Sequence, residues 1–493
     1  MRGLFLHVAC AAGLAAATLL GASGCNLLSG LADLKVDEGS SSGGTGGGGG
    51  DGGATTTGGG GTGGTGGGGP TCDDGQTNGA ETDRDCGGPE CAPCGAGRAC
   101  NQGSDCETEI CSDAGSGEVC VKATRVSVGN AHACAVLDTG ALYCWGANDS
   151  GQLGADGVTE SLSPVQVALD KIADVTAGGV PGDASVAHTC AVTGSGQVYC
   201  WGANGSGQLG KGDMANATTP TQVTALSQVS GVAAGGAFTC AFLTGGGVYC
   251  WGRNESGEIG NGGEGSEWTA PEPVAVAGGA KGLAAGARHA CALLVDDSLQ
   301  CWGDNLHGQV ASDPPSGAAK INAVAGLAAV AGVAAGQDFT CARVATALSC
   351  WGDNSDAQLT GDVASEQITA PASLGLAGVL DVALGADTVT DMPEPVPRGG
   401  HACALLDTGK VTCWGNDRSG QLGRGMVSAG GEGATPAEIE GLGGVIDIAA
   451  GAEVSCAVLA TGGVRCWGRN DRGQLGTGAK GDSQSSPVPV AWP

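Results

Sequence analysis

The sequence CWGANDSGQLG, at residues 144–154, is the clearest indication of the fold, because close copies of it recur along the rest of the chain. Seven Cys-Trp-Gly triplets follow one another at a mean period of roughly 54 residues, which is typical of a propeller or solenoid rather than of one continuous core. A further Cys precedes each triplet by nine or ten residues. The triplets begin at Cys144, Cys200, Cys250, Cys301, Cys350, Cys413 and Cys466.

Each pair of Cys residues is predicted to close a β-hairpin. Cys134 and Cys144 are symmetric about Thr139, and Gly140 suits the left-handed last position of a three-residue turn. Folding about this turn places the two Cys opposite each other, with Cα atoms about 4.5–5.5 Å apart, within reach of a disulfide. Each bond closes a loop of about eleven residues, worth about 2–3 kcal/mol by chain entropy. The predicted pairs are Cys134–Cys144, Cys190–Cys200, Cys240–Cys250, Cys291–Cys301, Cys403–Cys413, Cys456–Cys466 and the one-residue-shorter Cys341–Cys350, which requires a two-residue turn.

The composition indicates the cellular compartment and argues against one class of partner. The formal net charge of −29 repels phosphate backbones and anionic lipid head groups, so nucleic acid is not an expected partner. The 24 Cys residues fall largely into regular pairs, which indicates an oxidising compartment. Only 3% of the residues are aromatic, so the core must be built mainly from Val, Ala, Leu and a few Trp.

Residues 1–24 have the features of a secretory signal, with a basic start, an apolar segment and a run of small residues before Cys25. This junction resembles the lipobox of bacterial lipoproteins, although Ala22 replaces the Leu that the motif prefers, and the resemblance makes Cys25 the predicted lipid attachment site. Ordinary signal cleavage is the alternative. Asn26 is not the Asp that retains lipoproteins in the inner membrane, which favours the outer membrane or cell surface of a Gram-negative bacterium, with the periplasmic face as a second option.

Residues 25–70 are predicted to form a lipid-anchored flexible tether. The part from residue 39 onward is almost entirely Gly, Thr and Ser, which cannot bury enough apolar surface to fold. Its root-mean-square span is about 30 Å for a Gly-rich chain of this length. An acylated Cys followed by such a spacer would hold folded modules away from a membrane.

Residues 71–121 form a predicted Cys-rich module, similar to a small stalk-like module of exported bacterial surface proteins. Eight Cys residues and few large apolar side chains mean that disulfides must hold it together, and the sequence leaves all 105 pairings open. Its acidic run offers oxygen ligands for calcium, although the spacing does not match an EF-hand, and a solvated acidic loop is the alternative. The calcium candidates are Asp73, Asp83 and Asp85.

The repeats of residues 122–493 resemble the regulator-of-chromosome-condensation repeat, through their Cys-Trp-Gly and Gly-Gln-Leu-Gly motifs. That resemblance implies an all-β fold, a seven-bladed β-propeller, in which the seven motif Trp residues pack between blades. The terminal segments Val126–Val128 and Pro487–Val490 are expected to complete one blade together and so remove the free edge. The family's nucleotide-exchange function is not expected in an exported, acidic protein.

Loop lengths point to a binding face. Gly178 to Cys190 and Gly385 to Cys403 are much longer than the same connection in the other repeats, so both insertions should emerge on one face of the ring. We expect this face to contact a partner protein; tolerated variation in loop length is the alternative. The candidate binding residues are Asp183, Asp387, Asp391, Glu394 and Arg398.

The sequence carries no recognisable catalytic motif and, calcium aside, predicts no cofactor. His residues recur two positions before several first Cys residues, and we interpret them as packing rather than metal ligands, because separate blades would not converge on one ion. The predicted function is that of an envelope-anchored lipoprotein whose propeller binds or displays protein. The alternatives are an envelope inhibitor or receptor subunit, and a hydrolase using the central channel, for which the strand patterns supply mainly Ala, Val and Gly.

Overall fold

Strands dominate the part of the chain that the computed structural model describes. This part comprises residues 81–89, 91–113, 117–312, 314–359, 366–386, 400–427 and 432–493, with residues 72, 77, 388–389 and 396–397 besides. Its one helical segment is a short 3-10 turn, Gly103–Asp105. Within these described residues, no helix has the length and apolar character required to cross a membrane.

The Cys-rich module is a small disulfide-linked unit with one hairpin, β1 (Cys111–Asp113) and β2 (Glu118–Cys120). The structure resolves the pairing that the sequence left open: Cys72–Cys91, Cys86–Cys94, Cys100–Cys111 and Cys106–Cys120. The module packs against the first and last blades of the propeller. Arg465 donates to both carboxylate oxygens of Glu109, at 2.7 and 2.8 Å, and the hydroxyl groups of Ser112 and Tyr143 lie 3.0 Å apart.

The rest of the described chain forms seven four-stranded antiparallel sheets, which are the blades of a propeller. In each blade the chain runs from the first strand, which lines the central channel, outward to the fourth. Blades 1 to 3 contain β3 (Ala123–Val128), β4 (His132–Leu137), β5 (Leu142–Ala147), β6 (Glu160–Gln166); β7 (Ile172–Val180), β8 (Asp183–Thr193), β9 (Val198–Gly202), β10 (Ala217–Gln222); and β11 (Val229–Ala234), β12 (Phe238–Leu243), β13 (Val248–Gly252), β14 (Trp268–Val274).

Blades 4 to 7 repeat this arrangement, and blade 6 has an additional pair of two-residue strands, β24 (Thr388–Val389) and β25 (Val396–Pro397), inserted after its first strand. These blades contain β15 (Ala280–Ala285), β16 (His289–Leu294), β17 (Leu299–Asn305), β18 (Ser316–Ala323); β19 (Val330–Ala335), β20 (Phe339–Val344), β21 (Ala347–Asp353), β22 (Gln367–Ser373); β23 (Val379–Leu384), β24 (Thr388–Val389), β25 (Val396–Pro397), β26 (His401–Leu406), β27 (Val411–Asn416), β28 (Glu432–Glu438); and β29 (Val445–Ala450), β30 (Val454–Leu459), β31 (Val464–Gly468), β32 (Gln484–Pro489).

The second and third strands of every blade are joined by a disulfide between directly opposed Cys residues, with Cα atoms 4.0–4.1 Å apart. The turn from Asp138 to Gly140 has its glycine at a φ of +80°, as a left-handed final turn position requires. In blade 5, Val344 pairs with Ala347, which leaves the two-residue turn that the shorter spacing requires. Symmetric spacing about a short turn therefore fixes the register of these hairpins.

The motif Trp residues join neighbouring blades. Each indole Nε1 donates, over 2.8–3.0 Å, to the backbone carbonyl at the Gln position of the preceding blade's Gly-Gln-Leu-Gly motif. The last glycine of that motif makes room for the ring: Gly260 has a φ of +70°, and a Cβ there would lie 2.7 Å from Trp302 Nε1. The bonds run from Trp145 to Gln474, Trp201 to Gln152, Trp251 to Gln208, Trp302 to Glu258, Trp351 to Gln309, Trp414 to Gln358 and Trp467 to Gln421.

The expectation that the two chain ends share one blade is wrong. Blade 1 is made of β3 to β6 and blade 7 of β29 to β32, each from a continuous stretch of chain. The segment Pro487–Val490 does correspond to residues 164–167, but both belong to the outermost strand of their own repeat. The similarity of these two segments therefore reflects equivalent positions in two repeats, and not strand pairing between them.

The ring closes instead by packing of blade 7 against blade 1. The amide of Val126 donates to Asp447 Oδ2 at 2.8 Å, and Trp145 reaches Gln474 as the other Trp residues reach their neighbours. The C-terminal Trp492 packs edge-on against Tyr143, with ring centroids 5.5 Å apart. The seventh junction thus has the same indole-to-carbonyl bond as the other six, and Trp492 packs against it in addition.

Candidate functional site

One face of the ring carries the predicted insertions, and blade 2 shows what the first of them forms. β7 and β8 have 9 and 11 residues, against 6 for both equivalent strands in blades 1, 3, 4, 5 and 7. Their hairpin therefore extends beyond the ring face, and Val180 pairs with Asp183 at its tip. We call residues 179–187 the blade 2 tip.

The blade 2 tip lies between two depressions on this face. A cavity of about 260 Å³ is lined by Val180, Val186 and charged side chains of blades 3 to 5. A second cavity, of about 200 Å³, is lined by Gly182, Ala184 and charged side chains of blades 7 and 1. Both cavities offer charges of each sign: Arg253, Arg288, Asp304 and Asp338 in the first, and Asp149, Arg469, Asp471 and Arg472 in the second.

Among the candidate binding residues, Asp183 is the one within the described residues, and it is exposed. Its Oδ1 accepts hydrogen bonds from the Ser185 amide at 2.9 Å and the Ser185 hydroxyl at 2.5 Å, and its carbonyl accepts from Asn130 Nδ2 at 3.1 Å. The side chain of Asp183 therefore shapes the hairpin turn. Asp387, Asp391, Glu394 and Arg398 lie outside the described residues.

The second insertion begins and ends on the same face. β24 pairs with β25 within it, and Ala386 forms a bridge to Ala452 of the neighbouring blade. The Ala386 amide donates to the Gly451 carbonyl at 3.1 Å, which anchors the start of the insertion at the channel rim. The two insertions therefore arise at equivalent points of blades 2 and 6.

The first strands around the channel carry a buried charged cluster that the sequence interpretation missed. The third residue of the first strand is charged in four consecutive blades of the ring, 6, 7, 1 and 2, where the expectation was mainly Ala, Val and Gly. All four side chains are buried, and one oxygen of each carboxylate has no hydrogen-bond partner within the part of the protein that the structure describes. We call them the channel cluster: Asp381, Asp447, Arg125 and Asp174.

Burial controls the ionisation of the channel cluster. It raises the pKa of Asp447 to about 6, against the opposing effects of Arg125 and of the hydrogen bond from Val126. Burial also raises the pKa of Asp174 and of Asp381 well above the usual range, and the Asp447 charge adds to both increases. The aligned third positions of the repeats were the sequence signal that would have located this cluster.

The recurrent His residues lie at separate blade junctions. In four of the seven junctions, the His Nε2 is 2.8–2.9 Å from the hydroxyl of a Thr or Ser in the next blade, which in turn donates to a backbone carbonyl. Because the hydroxyl hydrogen is used in this way, Nε2 of His132, His289 and His401 donates to the hydroxyl oxygen. In His188, Nδ1 also lies 3.0 Å from the Val186 carbonyl. The pairs are His132–Thr189, His188–Thr239, His289–Thr340 and His401–Ser455.

Of the calcium candidates, Asp83 and Asp85 are described, and Asp73 lies outside the described residues. Asp83 Oδ1 accepts from the Arg84 amide at 2.6 Å, and Oδ2 accepts from the Ala99 amide at 2.8 Å. Asp85 adopts a φ of +57° in the adjoining turn. Both carboxylate oxygens of Asp83 are thus engaged within the module. The predicted lipid attachment site, Cys25, also lies outside the described residues.

The family models that match this chain cover its propeller. A model of the RCC1-like domain matches residues 182–493, and two models of the regulator of chromosome condensation (RCC1) repeat match residues 123–152 and 139–180. The ultraviolet-B receptor UVR8 of Arabidopsis thaliana is 34% identical over 120 residues, 23% of this chain and 26% of that protein. The probable E3 ubiquitin-protein ligase HERC3 of Homo sapiens is 33% identical over 120 residues, again 23% of this chain but 11% of that protein. The chain thus spans about a quarter or less of these relatives' length.

Solved structures show the same fold at lower identity. Yeast RCC1 (Prp20), in a structure with Kap60, superimposes with a TM-score of 0.60 at 22% identity, over 71% of this chain and 83% of that one. Human WBSCR16 gives a TM-score of 0.58 at 20% identity, over 69% and 86% of the two chains. With the family match over residues 182–493, these findings show that the chain belongs to the RCC1-like domain family and that its repeats form a seven-bladed propeller of that family.

Proposed function

We infer that this propeller is a protein-binding module and that its partner contacts the face bearing the blade 2 tip. The observation that carries this proposal is the tip itself, which projects from a ring whose equivalent connections are otherwise short in blades 1, 3, 4, 5 and 7. It stands between two depressions that offer both signs of charge, an arrangement suited to a partner with complementary charges. The yeast relative solved in complex with Kap60 supports protein binding as a use of the fold.

We also propose that this module is part of an exported, lipid-anchored chain. The support is the signal-like residues 1–24, the lipobox-like junction before Cys25 and eleven disulfides, which are typical of an oxidising compartment. The outer membrane or surface of a Gram-negative bacterium is the proposed location. The role is binding or display, which includes an inhibitor or receptor subunit of an envelope complex, and no catalytic step is assigned.

The lipid anchor is tested at Cys25. Cells that express the full chain and are fed labelled palmitate should incorporate the label into the protein, and Cys25→Ser should abolish incorporation, since its hydroxyl does not replace the thiol in this modification. A Cys10→Ser variant is the control, because Cys10 lies within the segment that signal cleavage would remove. Labelling that persists in the Cys25→Ser variant would reject the anchor and leave ordinary cleavage as the better account.

The binding face is tested with two deletions in the full chain. Removal of residues 179–185 restores the common spacing to Cys190, and removal of residues 386–398 does the same for Cys403. In cross-linking from envelope fractions, we expect each deletion to reduce recovery of the same partner by about tenfold or more, since contacts worth about 1.4 kcal/mol suffice for that loss.

The matched control for these deletions changes an exposed site on the outer strands of blade 6. The Lys410→Ala/Glu438→Ala variant removes a 2.7 Å ion pair between two side chains that are each about half exposed, and it should leave recovery of the partner unchanged. Equal recovery by the wild-type chain and both deletion variants would contradict the proposed face. Disulfide content and melting temperature should be compared across all variants, so that misfolding is separated from loss of contact.

A further inference from the structure

At the channel mouth opposite the blade 2 tip, the third residue of the first strand divides the ring into two halves, one with charged residues and one with glycines. The third residue of the first strand belongs to the channel cluster in blades 6, 7, 1 and 2, whereas it is a glycine in blades 3, 4 and 5. Side chains of the second strand lie over two of these glycines, Phe242 over Gly231 and Arg343 over Gly332. In blade 3, a Cβ at Gly231 would lie 2.5 Å from the ring of Phe242, so the ring occupies the position above this glycine.

A groove of about 690 Å³ lies at this mouth, across blades 2, 3 and 4. This volume is within the range of ligand-binding clefts in proteins. Its apolar wall includes Phe242, Val229 and Val192, and at its rim the side chain of Val295 is exposed. The Cys-rich module packs against blades 1 and 7, so its described contacts leave this groove uncovered.

Asp174 connects the groove to the channel cluster. It lines the groove, yet the residue is only 1% exposed. Its Oδ1 accepts from the Val175 amide at 3.0 Å, while Oδ2 has no hydrogen-bond partner among the described residues. A buried carboxylate oxygen without a donor is costly, and a ligand that supplies a donor there would remove that cost.

The spacing of the carboxylates argues against a metal ion as that ligand. Among the described residues, the groups of three or more potential metal ligands within 4.8 Å of one another are both in the Cys-rich module, and none includes the channel cluster. A metal with several oxygen ligands requires closer convergence. A guanidinium group, by contrast, has five N–H donors spread over a planar fork and can reach a carboxylate from the end of a long apolar stem.

We propose that this groove binds a basic segment of a partner protein, with an arginine side chain donating to Asp174 and a neighbouring apolar residue lying on Phe242 and Val295. The net charge of −29 favours approach of such a segment. The three carboxylates of the channel cluster are opposed by two buried cations, Arg125 and Arg343. Lys281, at the groove rim, is paired with Asp297. Burial raises the pKa of Asp174, and a guanidinium at Oδ2 would favour the charged form of this carboxyl group. This site is on the opposite face from the blade 2 tip and does not depend on the function proposed above.

The test uses the full chain and two capped dipeptides, acetyl-Arg-Leu-amide and its citrulline counterpart, in which a neutral urea replaces the guanidinium. Calorimetry or NMR titration should show binding of the arginine probe in the millimolar range and about tenfold or more weaker binding of the citrulline probe. Asp174→Asn keeps the shape of the side chain and cannot ionise beside a bound guanidinium, and the variant should fold normally. It should also abolish the difference between the two probes.

Asp381→Asn is the matched control, because Asp381 is a second buried carboxylate of the channel cluster but does not line the groove. It should leave binding of the arginine probe within about twofold of wild type. Ser230→Trp, at the groove edge, should block both probes by filling the cavity while blade packing is retained. Equal binding of the two probes, no binding of the arginine probe, or arginine binding that survives Asp174→Asn would each overturn the proposal.

Discussion

Replacement of Trp302 by alanine is expected to lower the free energy of unfolding by about 3–5 kcal/mol, the usual range for a buried Trp or Phe truncated to alanine. The side chain is fully buried and packs against the core of blade 3 from its position in blade 4. Its Nε1 donates to the Glu258 carbonyl at 2.8 Å, so the substitution also leaves that acceptor without its indole donor. Chemical unfolding under non-reducing conditions measures the change.

Two further Trp variants make this prediction specific to the blade junctions. Trp268→Ala removes a half-buried Trp from the outer strand β14 and should cost clearly less, about 1–2 kcal/mol, because less apolar area is lost. Trp145→Ala should cost about as much as Trp302→Ala, since the junction of blades 7 and 1 has the same indole-to-carbonyl bond, at 3.0 Å. A Trp145→Ala effect no larger than that of Trp268→Ala would show that the ring is not closed tightly at this junction.

The hairpins could be predicted from the sequence because their determinants are local. Cys134 and Cys144 are separated by a short turn with glycine at its end, and the symmetry of the pair leaves one register in which the two sulfur atoms meet. The period of the motif then gives seven such units. The family resemblance adds the ring, which local spacing does not determine by itself.

Closure of the ring could not be predicted in the same way. β32 and β6 have similar Pro-Val patterns, and the pattern is equally compatible with pairing to the preceding or the following strand. Only the register, with Cys466 opposite Val488 and Cys144 opposite Val165, shows that each outer strand completes its own repeat. Long-range pairing of this kind depends on contacts that the alternation of side chains does not specify.

The channel cluster was missed for a different reason. Asp174, Asp381 and Asp447 are isolated acidic residues within strands of small apolar residues, and each sits at an irregularity in strand pairing, between the first and third residues of the strand. Such an irregularity changes which side of the strand faces the channel, and simple alternation does not predict it. The predicted binding residues of the two insertions stay a prediction, which the deletion experiments address.

The blade junctions are of two kinds, one polar and one apolar. Each kind can therefore be converted to the other by substitution and the stabilities compared. Four junctions pair a His with a hydroxyl residue, and the other three pair an apolar residue with alanine at the same positions: Phe238 with Ala290, Phe339 with Ala402 and Val454 with Ala133. The double variant His289→Phe/Thr340→Ala therefore converts one junction to a combination that the protein already uses elsewhere. The reverse variant, Phe238→His/Ala290→Thr, converts an apolar junction to the polar form.

We expect the His289→Phe/Thr340→Ala variant to resist acid better than the wild-type protein. Burial lowers the pKa of His289 to about 3, from an ordinary value near 6.5, so the unfolded chain binds a proton below about pH 6.5 that the folded chain excludes. The stability contributed by the neutral His is complete above the unfolded pKa and is lost as pH falls toward the folded pKa. Between about pH 6.5 and pH 4.5 the loss is about 3 kcal/mol for one such residue, at about 1.4 kcal/mol per pH unit.

This loss of stability must be measured as a difference between wild type and variant, because the buried carboxylates change the stability with pH in the opposite direction. The pKa of Asp447 is raised to about 6, so its contribution to stability is complete below the unfolded pKa and is lost as pH rises through the folded value. That term is common to wild type and variants and cancels when their unfolding free energies are subtracted at each pH. The difference should shift in favour of the His289→Phe/Thr340→Ala variant by about 3 kcal/mol on acidification and by a similar amount against the Phe238→His/Ala290→Thr variant. Differences that do not change with pH would mean that the junction His residues take up protons in the folded ring, and that their burial does not govern its acid stability.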